Sequence, residues 1–196
     1  MKILVITPPE EMDHEVETIH ELFERGLEIL HLRKPYYDSI RMESLLRCIE
    51  SKYHSRIMVH SHYKLSKTYS LRGLHFPASI RSKSKKDLGQ GLSSSCHSIE
   101  ELDECESHFE YLLVSPVFDS ISKTGYFSGI DTDDLGKFIS WSGKSVVALG
   151  GVSDETLRLL PPNCWGAAVL GYIWDNKDMK DRLQNYEILR EIAEAL

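Results

Sequence analysis

The sequence predicts a single-domain (β/α)8 barrel over residues 1–196. Short apolar segments alternate with helix-type periodicity eight times in fewer than 200 residues. Several of them, such as 146–149, are apolar on both faces, which is typical of parallel strands covered on both sides. The chain is also long enough to bury one substantial core. A doubly wound open sheet is the alternative, and it would be favoured if the weak fourth strand and helix were missing.

Each predicted strand is a short, mostly apolar run, and several end at a proline, which cannot continue a hydrogen-bond ladder. The fifth strand is expected to lead into a serine-rich loop. The eight strands are Lys2–Thr7, Leu27–Arg33, Arg56–His60, Leu71–Phe76, Leu88–Ser93, Tyr111–Ser115, Val146–Leu149 and Gly166–Leu170.

Helical periodicity follows most of these strands. The fourth helix is expected to be at most a turn or two, within 78–86, and the fifth opens with a capping box from Ser98 to Glu101. After the seventh strand, Ser153 is the predicted cap of another helix. The remaining helices are predicted from Val16 to Leu27, Ser39 to Ser51, Ser61 to Ser70, Asp131 to Trp141 and Leu183 to Leu196.

Composition narrows the class of protein. The net charge of −7 argues against a nucleic-acid partner, because phosphate backbones need a basic face. No window is apolar enough to span a membrane. The four cysteines have neither CxxC nor zinc-finger spacing, and no secretory leader precedes them, so we expect reduced thiols in a cytoplasmic protein. The expected partners are small phosphate-bearing molecules, and the sequence is compatible with a homodimer.

In a parallel barrel the carboxyl ends of all strands meet at one mouth, where active sites lie. The predicted strands therefore bring His31, Arg33, His60, His75 and the serines at 93–95 to this mouth. The loops after strands seven and eight commonly hold phosphate. Here these loops contain the Gly150-Gly151 turn and Gly171, where the missing Cβ lets the backbone approach a ligand.

Six segments, taken in order, resemble the thiamine phosphate synthase and thiazole tautomerase family over nearly the whole chain. No single segment is diagnostic, but their order and spacing together are specific. They are Ile29-Leu-His-Leu-Arg33, Gly73-Leu-His-Phe76, the stretch from Ser93 to Glu101, Tyr111-Leu-Leu-Val-Ser-Pro-Val-Phe118 with Ser122-Lys123, Val147-Ala-Leu-Gly-Gly-Val152 and Gly166-Ala-Ala-Val-Leu-Gly171.

The resemblance implies a phosphate-binding barrel of thiamine biosynthesis. Synthases of the family join a pyrimidine methyl pyrophosphate to a thiazole phosphate with Mg²⁺ and release pyrophosphate, whereas the tautomerases isomerise a thiazole phosphate carboxylate. By this resemblance the glycines hold the thiazole phosphate, and Arg33, Ser95 and Lys123 bind the pyrophosphate. A guanidinium and an ammonium suit that role, because the leaving group develops negative charge. His31 and the lysine's neighbours Ser120 and Ser122 complete the predicted binding residues.

The chain departs from both branches of the family. Synthases hold Mg²⁺ with an Asn-Asp pair after strand three and an aspartate after strand four, where this chain has His60-Ser61 and Ile80, so the usual ligands of this cofactor are absent. A second lysine after strand two is replaced by Pro35, although Lys34 is adjacent.

The catalytic histidine of the tautomerases falls at Pro116. His60, His62 or His75 could substitute as a general acid or base. His60 and His62 could also form a metal-binding pair, unless the strand stops at His60 and the two side chains diverge. The expected function is a synthase-like transferase. The alternatives are a tautomerase-like isomerase, a non-catalytic phosphate binder and a different phosphate enzyme on the same barrel.

Overall fold

Eight parallel strands close into a barrel in the order β1 to β8, and β1 pairs with β8. The structure, a computed structural model, describes residues 1–84, 90–119 and 130–196. Closure confirms the (β/α)8 barrel and excludes the open doubly wound sheet, which would leave two unpaired edges. The strands are β1 Lys2–Ile6, β2 Ile29–Leu32, β3 Ile57–Val59, β4 Gly73–Phe76, β5 Gly91–Cys96, β6 Tyr111–Val114, β7 Val146–Leu149 and β8 Gly166–Val169.

The helices lie outside the barrel, and several of them are only one or two turns long. Ser51–Arg56, Ala78–Lys83 and Leu157–Leu159 form 3-10 turns. None of the described helices is long and apolar enough to cross a bilayer. The α-helices are α1 Glu15–Glu24, α2 Ser39–Cys48, α3 Lys64–Thr68, α4 Ile99–Glu104, α5 Thr132–Ser142, α6 Gly171–Trp174 and α7 Met179–Ala195.

Side-chain caps define where several helices begin. Ser98 accepts a hydrogen bond from the Glu101 amide at α4, and Asp131 accepts two from the first turn of α5, so both predicted starts are confirmed. The capping box at Ser98 is only half formed, because the Glu101 carboxylate accepts from the His97 amide and the Arg81 guanidinium instead.

Two predicted elements differ from the observed ones. The helix expected from Ser153 is a turn followed by the 3-10 segment Leu157–Leu159. Ser153 and Thr156 bond each other's amides, and Pro161 and Pro162 then end the segment. The fifth strand is Gly91–Cys96 rather than 88–93, so its serines lie within a strand, not in the loop that we predicted.

The barrel interior changes from apolar to polar along the strands. A cluster of buried side chains fills its centre: Leu4, Ile6, Ile29, Met58, Tyr111, Leu113, Val147 and Ala168. Because strand side chains alternate between faces, the next inward positions on β2 and after β3 are those of His31 and His60. The apolar interior therefore ends beneath a polar layer at the mouth.

Candidate active site

Three neighbouring strands bring three histidines together at the mouth. His31 lies in β2, His60 follows β3 directly, and His75 lies in β4. One ring nitrogen from each lies within 4.8 Å of the others. His31 and His75 are buried, and His60 is the most exposed residue of the three. The predicted grouping of these residues at one mouth is confirmed.

Hydrogen bonds fix the orientation of all three rings. His31 Nδ1 lies 2.9 Å from His60 Nε2, and His31 Nε2 lies 2.7 Å from the hydroxyl of Tyr111. The ring of His75 stacks on His60 with 4.2 Å between centroids. His75 also bonds two serines of β5, Ser93 through Nδ1 at 2.9 Å and Ser95 through Nε2 at 2.8 Å.

These contacts leave one ring nitrogen of the cluster available. Within the described part of the chain, Nδ1 of His60 has no hydrogen-bond partner. The serine bonds also show that Ser95 is placed at the mouth by β5 itself. Its predicted contact with substrate stays a prediction.

Burial keeps the histidines neutral. It lowers the pKa of His31 and His60 well below 6.5, and neighbouring histidines and arginines lower both further. Burial, together with the charge of Arg33, lowers the pKa of His75 to about 3. At physiological pH each ring therefore carries one proton, with the other nitrogen able to accept a hydrogen bond.

Arg33 and Lys34 are consecutive but have different environments. The backbone of Arg33 is held by Thr7, whose hydroxyl accepts from the Arg33 amide at 2.9 Å. Among the described residues no carboxylate pairs with its partly exposed guanidinium. Lys34 is buried, and its ammonium lies 2.6 Å from the Glu15 carboxylate. Of these two cations, Arg33 is thus the one available to an anionic ligand, and Lys34 does not replace the missing second lysine.

The turn after β7 requires glycine. Gly150 and Gly151 have φ angles of 96° and 63°, a region that L side chains rarely adopt. A Cβ on Gly151 would also lie 2.4 Å from the Asp119 carbonyl oxygen. Gly171 begins α6, and Leu170 alone separates it from the end of β8. The three glycines lie at the strand ends where we expected them, and their contact with phosphate stays a prediction.

Of the four remaining predicted residues, the structure describes only His62. Ser120, Ser122 and Lys123 lie outside the described residues. His62 has a φ of 51°, and its Nε2 bonds the carbonyl of Tyr37 at 2.8 Å. The side chain of His62 therefore diverges from that of His60. This is the alternative that we gave to a metal-binding pair of His60 and His62.

The donors at the ends of β3 and β4 do not fit Mg²⁺. This hard ion takes oxygen ligands, and the side chains assembled there are neutral imidazoles. Ser61 adds one buried hydroxyl without a partner among the described residues. An ion that prefers nitrogen, such as Zn²⁺, would match the donors better but would have to displace the hydrogen bonds of His31 or His75.

Two residues near this site, one beneath it in the barrel interior and one beyond β5, were not singled out from the sequence. Tyr111 was assigned to its strand and to a segment of the family resemblance but was given no role, although a tyrosine at an inward position of a barrel needs a partner for its hydroxyl. His97 lies just beyond β5 with an exposed ring, and its Nδ1 is 3.1 Å from the Ser115 carbonyl oxygen, beside Pro116. Strand alternation could have placed Tyr111, whereas nothing in the sequence sets the position of His97.

The chain is similar to proteins of one family over most of its length. Residues 3–173 match the family model described as thiamine monophosphate synthase. A curated thiamine-phosphate synthase from Limosilactobacillus reuteri (strain DSM 20016) is 23% identical over 141 residues. That match covers 68% of this chain and 66% of the relative, slightly less than two thirds of the relative's length.

Solved structures show the same likeness. A thiamine phosphate pyrophosphorylase from Bacteroides thetaiotaomicron is 31% identical and superposes with a TM-score of 0.83, covering 99% of this chain and 98% of that one. A thiamine phosphate pyrophosphorylase from Pyrococcus furiosus is 21% identical with a TM-score of 0.80, covering 99% and 96%. At that lower identity the second likeness supports the fold alone.

Proposed function

This chain belongs to the thiamine monophosphate synthase family, and we propose that it binds a thiazole phosphate at the barrel mouth and isomerises it by moving a proton. The observation that carries this proposal is that Nδ1 of His60 has no hydrogen-bond partner among the described residues, on a neutral ring held in place through its other nitrogen. A neutral imidazole of this kind can accept a proton from carbon and return it elsewhere on the substrate.

The other groups at the mouth suit an anionic substrate. Arg33 supplies a guanidinium without a carboxylate partner among the described residues, and it can pair with a phosphate or carboxylate. Gly150 and Gly151 supply a backbone turn without side chains, which suits a phosphate. His75, fixed by two serines, stacks on His60 and limits its rotation.

A synthase is the second candidate, and the names of the relatives favour it. The thiamine-phosphate synthase and the pyrophosphorylases described above are similar to this chain. Against this assignment stands the donor set at β3 and β4, which offers nitrogen where coupling with Mg²⁺ would call for carboxylates.

The test is to supply the purified protein with a thiazole phosphate carboxylate in D₂O and to follow isomer conversion and deuterium uptake by NMR. A parallel reaction contains the pyrimidine pyrophosphate, with and without Mg²⁺. We expect isomerisation that falls about a hundredfold or more in His60→Gln while binding stays within about threefold. His20→Gln, on the outside of the barrel, is the matched control. Mg²⁺-dependent thiamine phosphate without isomerisation would instead establish the synthase.

Binding tests the role of Arg33 separately. We expect Arg33→Ala to weaken binding of inorganic pyrophosphate about tenfold or more in calorimetry, with a smaller effect on thiazole phosphate. Arg47→Ala, which removes an exposed ion pair with Glu43 on α2, is the control and should bind as the wild type does. Equal losses for both ligands would contradict the pyrophosphate role of Arg33.

A further inference from the structure

A column of three polar groups runs through the barrel from its interior to the mouth. Tyr111, at the start of β6, stacks its ring on Trp165 with centroids 4.9 Å apart. Its hydroxyl bonds Nε2 of His31, and Nδ1 of His31 bonds Nε2 of His60. Two of the three groups are buried, and the last is the ring with the free nitrogen.

The protonation of the three groups is coupled. A neutral imidazole has one N–H, so His31 donates either to Tyr111 or to His60, but not to both. If His31 donates from Nε2, its Nδ1 accepts from Nε2–H of His60, and Nδ1 of His60 is bare. If Tyr111 donates to Nε2 of His31, then Nδ1–H of His31 donates to His60, whose proton then lies on Nδ1. In both arrangements His31 and His60 have the same tautomer.

We propose that Tyr111 and His31 form a hydrogen-bonded relay that sets the tautomer of His60 and so decides whether its free nitrogen acts as base or acid. Burial raises the pKa of Tyr111, so the phenol stays protonated and can serve as donor or acceptor. Tyr111 is thus a positioning residue, because its hydroxyl acts on the mouth through other side chains, namely His31 and Ser93, which bonds His75.

Proton transfer through the relay conserves both protons and charge. Consider the state in which Nδ1 of His60 carries no proton. When this nitrogen takes a proton from the substrate, the proton on Nε2 of His60 passes to Nδ1 of His31. His31 is then doubly protonated, and it donates to the Tyr111 oxygen and to His60. Burial disfavours a positive charge on His31 as it does on His60, which favours return of the proton. The same steps in reverse return one proton to the substrate, so no external acid or base is consumed.

The relay can be tested without any substrate. Nitrogen-15 NMR of protein labelled at histidine reports the tautomer of each ring, and we expect His31 and His60 to share one tautomer. Opposite tautomers in the wild type would overturn the proposal. A stoichiometric metal ion on the three histidines, measured by elemental analysis of the same sample, would also overturn it, because the ion would occupy the nitrogens that the relay uses.

A variant tests the role of the hydroxyl. Tyr111→Phe keeps the ring stack on Trp165 and removes one oxygen, so we expect the tautomer populations of His31 and His60 to change together. Tyr53→Phe removes the same atom on the outside of the barrel, where Tyr53 stacks on Phe23, and should change neither. A change at His31 alone would overturn the coupling.

The link to catalysis rests on the proposed function. For the isomerisation we expect Tyr111→Phe to lower kcat about tenfold or more while KM stays within about threefold. A lower kcat with unchanged tautomers would overturn the relay but not the isomerase. Coupled tautomers in a protein without isomerase activity would support the relay and overturn the proposed function.

Discussion

At the scale of single residues, Gly143 and Gly151 show two different reasons why a position requires glycine. Gly143, after α5, and Gly151 have nearly the same positive φ, 66° and 63°. A Cβ on Gly143 would meet nothing within 4 Å, whereas a Cβ on Gly151 would overlap Asp119 and Phe118. The first glycine therefore serves the backbone angle alone, and the second also serves close packing against the loop after β6.

Alanine at the two positions distinguishes these contributions. We expect Gly143→Ala to cost about 1 kcal/mol of unfolding free energy from backbone strain and to leave ligand binding unchanged. Gly151→Ala should cost more, about 2–4 kcal/mol, and abolish thiazole phosphate binding, because the loop must move. Urea unfolding and calorimetry measure both effects. Full affinity in Gly151→Ala would remove this turn from the binding site.

At the scale of elements, the ends of helices depend on single side chains. Asp131 accepts hydrogen bonds from two amides at the start of α5, Asp133 at 2.9 Å and Asp134 at 3.0 Å. α5 covers the barrel through the buried residues Leu135, Phe138 and Ile139. The cap therefore fixes the first turn of a helix that contributes one buried face to the core.

Removing this cap has a defined cost. We expect Asp131→Ala to lower the free energy of unfolding by about 1 kcal/mol, because two amides lose their acceptor. Asp131→Asn keeps an acceptor oxygen and should lose only a few tenths of that. Thermal and urea unfolding compare the two variants, and identical losses would show that charge rather than capping stabilises the helix.

Elements were predictable from the sequence where local signals are strong. The strand around Val146 and the α5 start at Asp131 follow from an apolar run and a cap. The bounds of β5 did not follow, because serines pack inside this barrel as partners of His75, a contact that no local pattern encodes. Similarly, charge type alone could not show that Arg33 is available while Lys34 is buried against Glu15.

The site was predicted as a set of residues at one mouth, not as a network. Strand ends alone indicated that His31, His60 and His75 would meet there. The bond between His31 and His60, and the contribution of Tyr111 from β6, depend on the diameter of the closed barrel and on side-chain reach across it. Those quantities are set by all eight strands together.

At the scale of the whole molecule, the buried histidines make stability depend on pH. An unfolded chain protonates His75 near pH 6.5, whereas in the fold its pKa is about 3. Below pH 6.5 the unfolded state therefore binds more protons, and stability falls as pH falls. His31 and His60 act in the same direction. The stabilising contribution of these histidines is fully present above pH 6.5, and that of His75 is lost progressively between pH 6.5 and about pH 3.

Urea unfolding between pH 7.5 and 5 measures this decline before most carboxylates titrate. Each histidine that stays neutral in the fold should contribute a slope of about 1.4 kcal/mol per pH unit well below pH 6.5. His75→Gln removes one such group, so its slope should be smaller by about that amount. An unchanged slope would mean that His75 is protonated in the fold.

The pairing of β1 with β8 also constrains how the chain can fold. Lys2–Val5 lie beside Gly166–Val169, so the two strands that close the ring are separated by some 160 residues of sequence. Such distant contacts form slowly, because the intervening loop must first be ordered. On the ribosome, β1 is synthesised long before its second neighbour exists. Until β8 arrives, β1 and β7 each expose a free edge, which makes the unfinished barrel the form most open to strand-to-strand association.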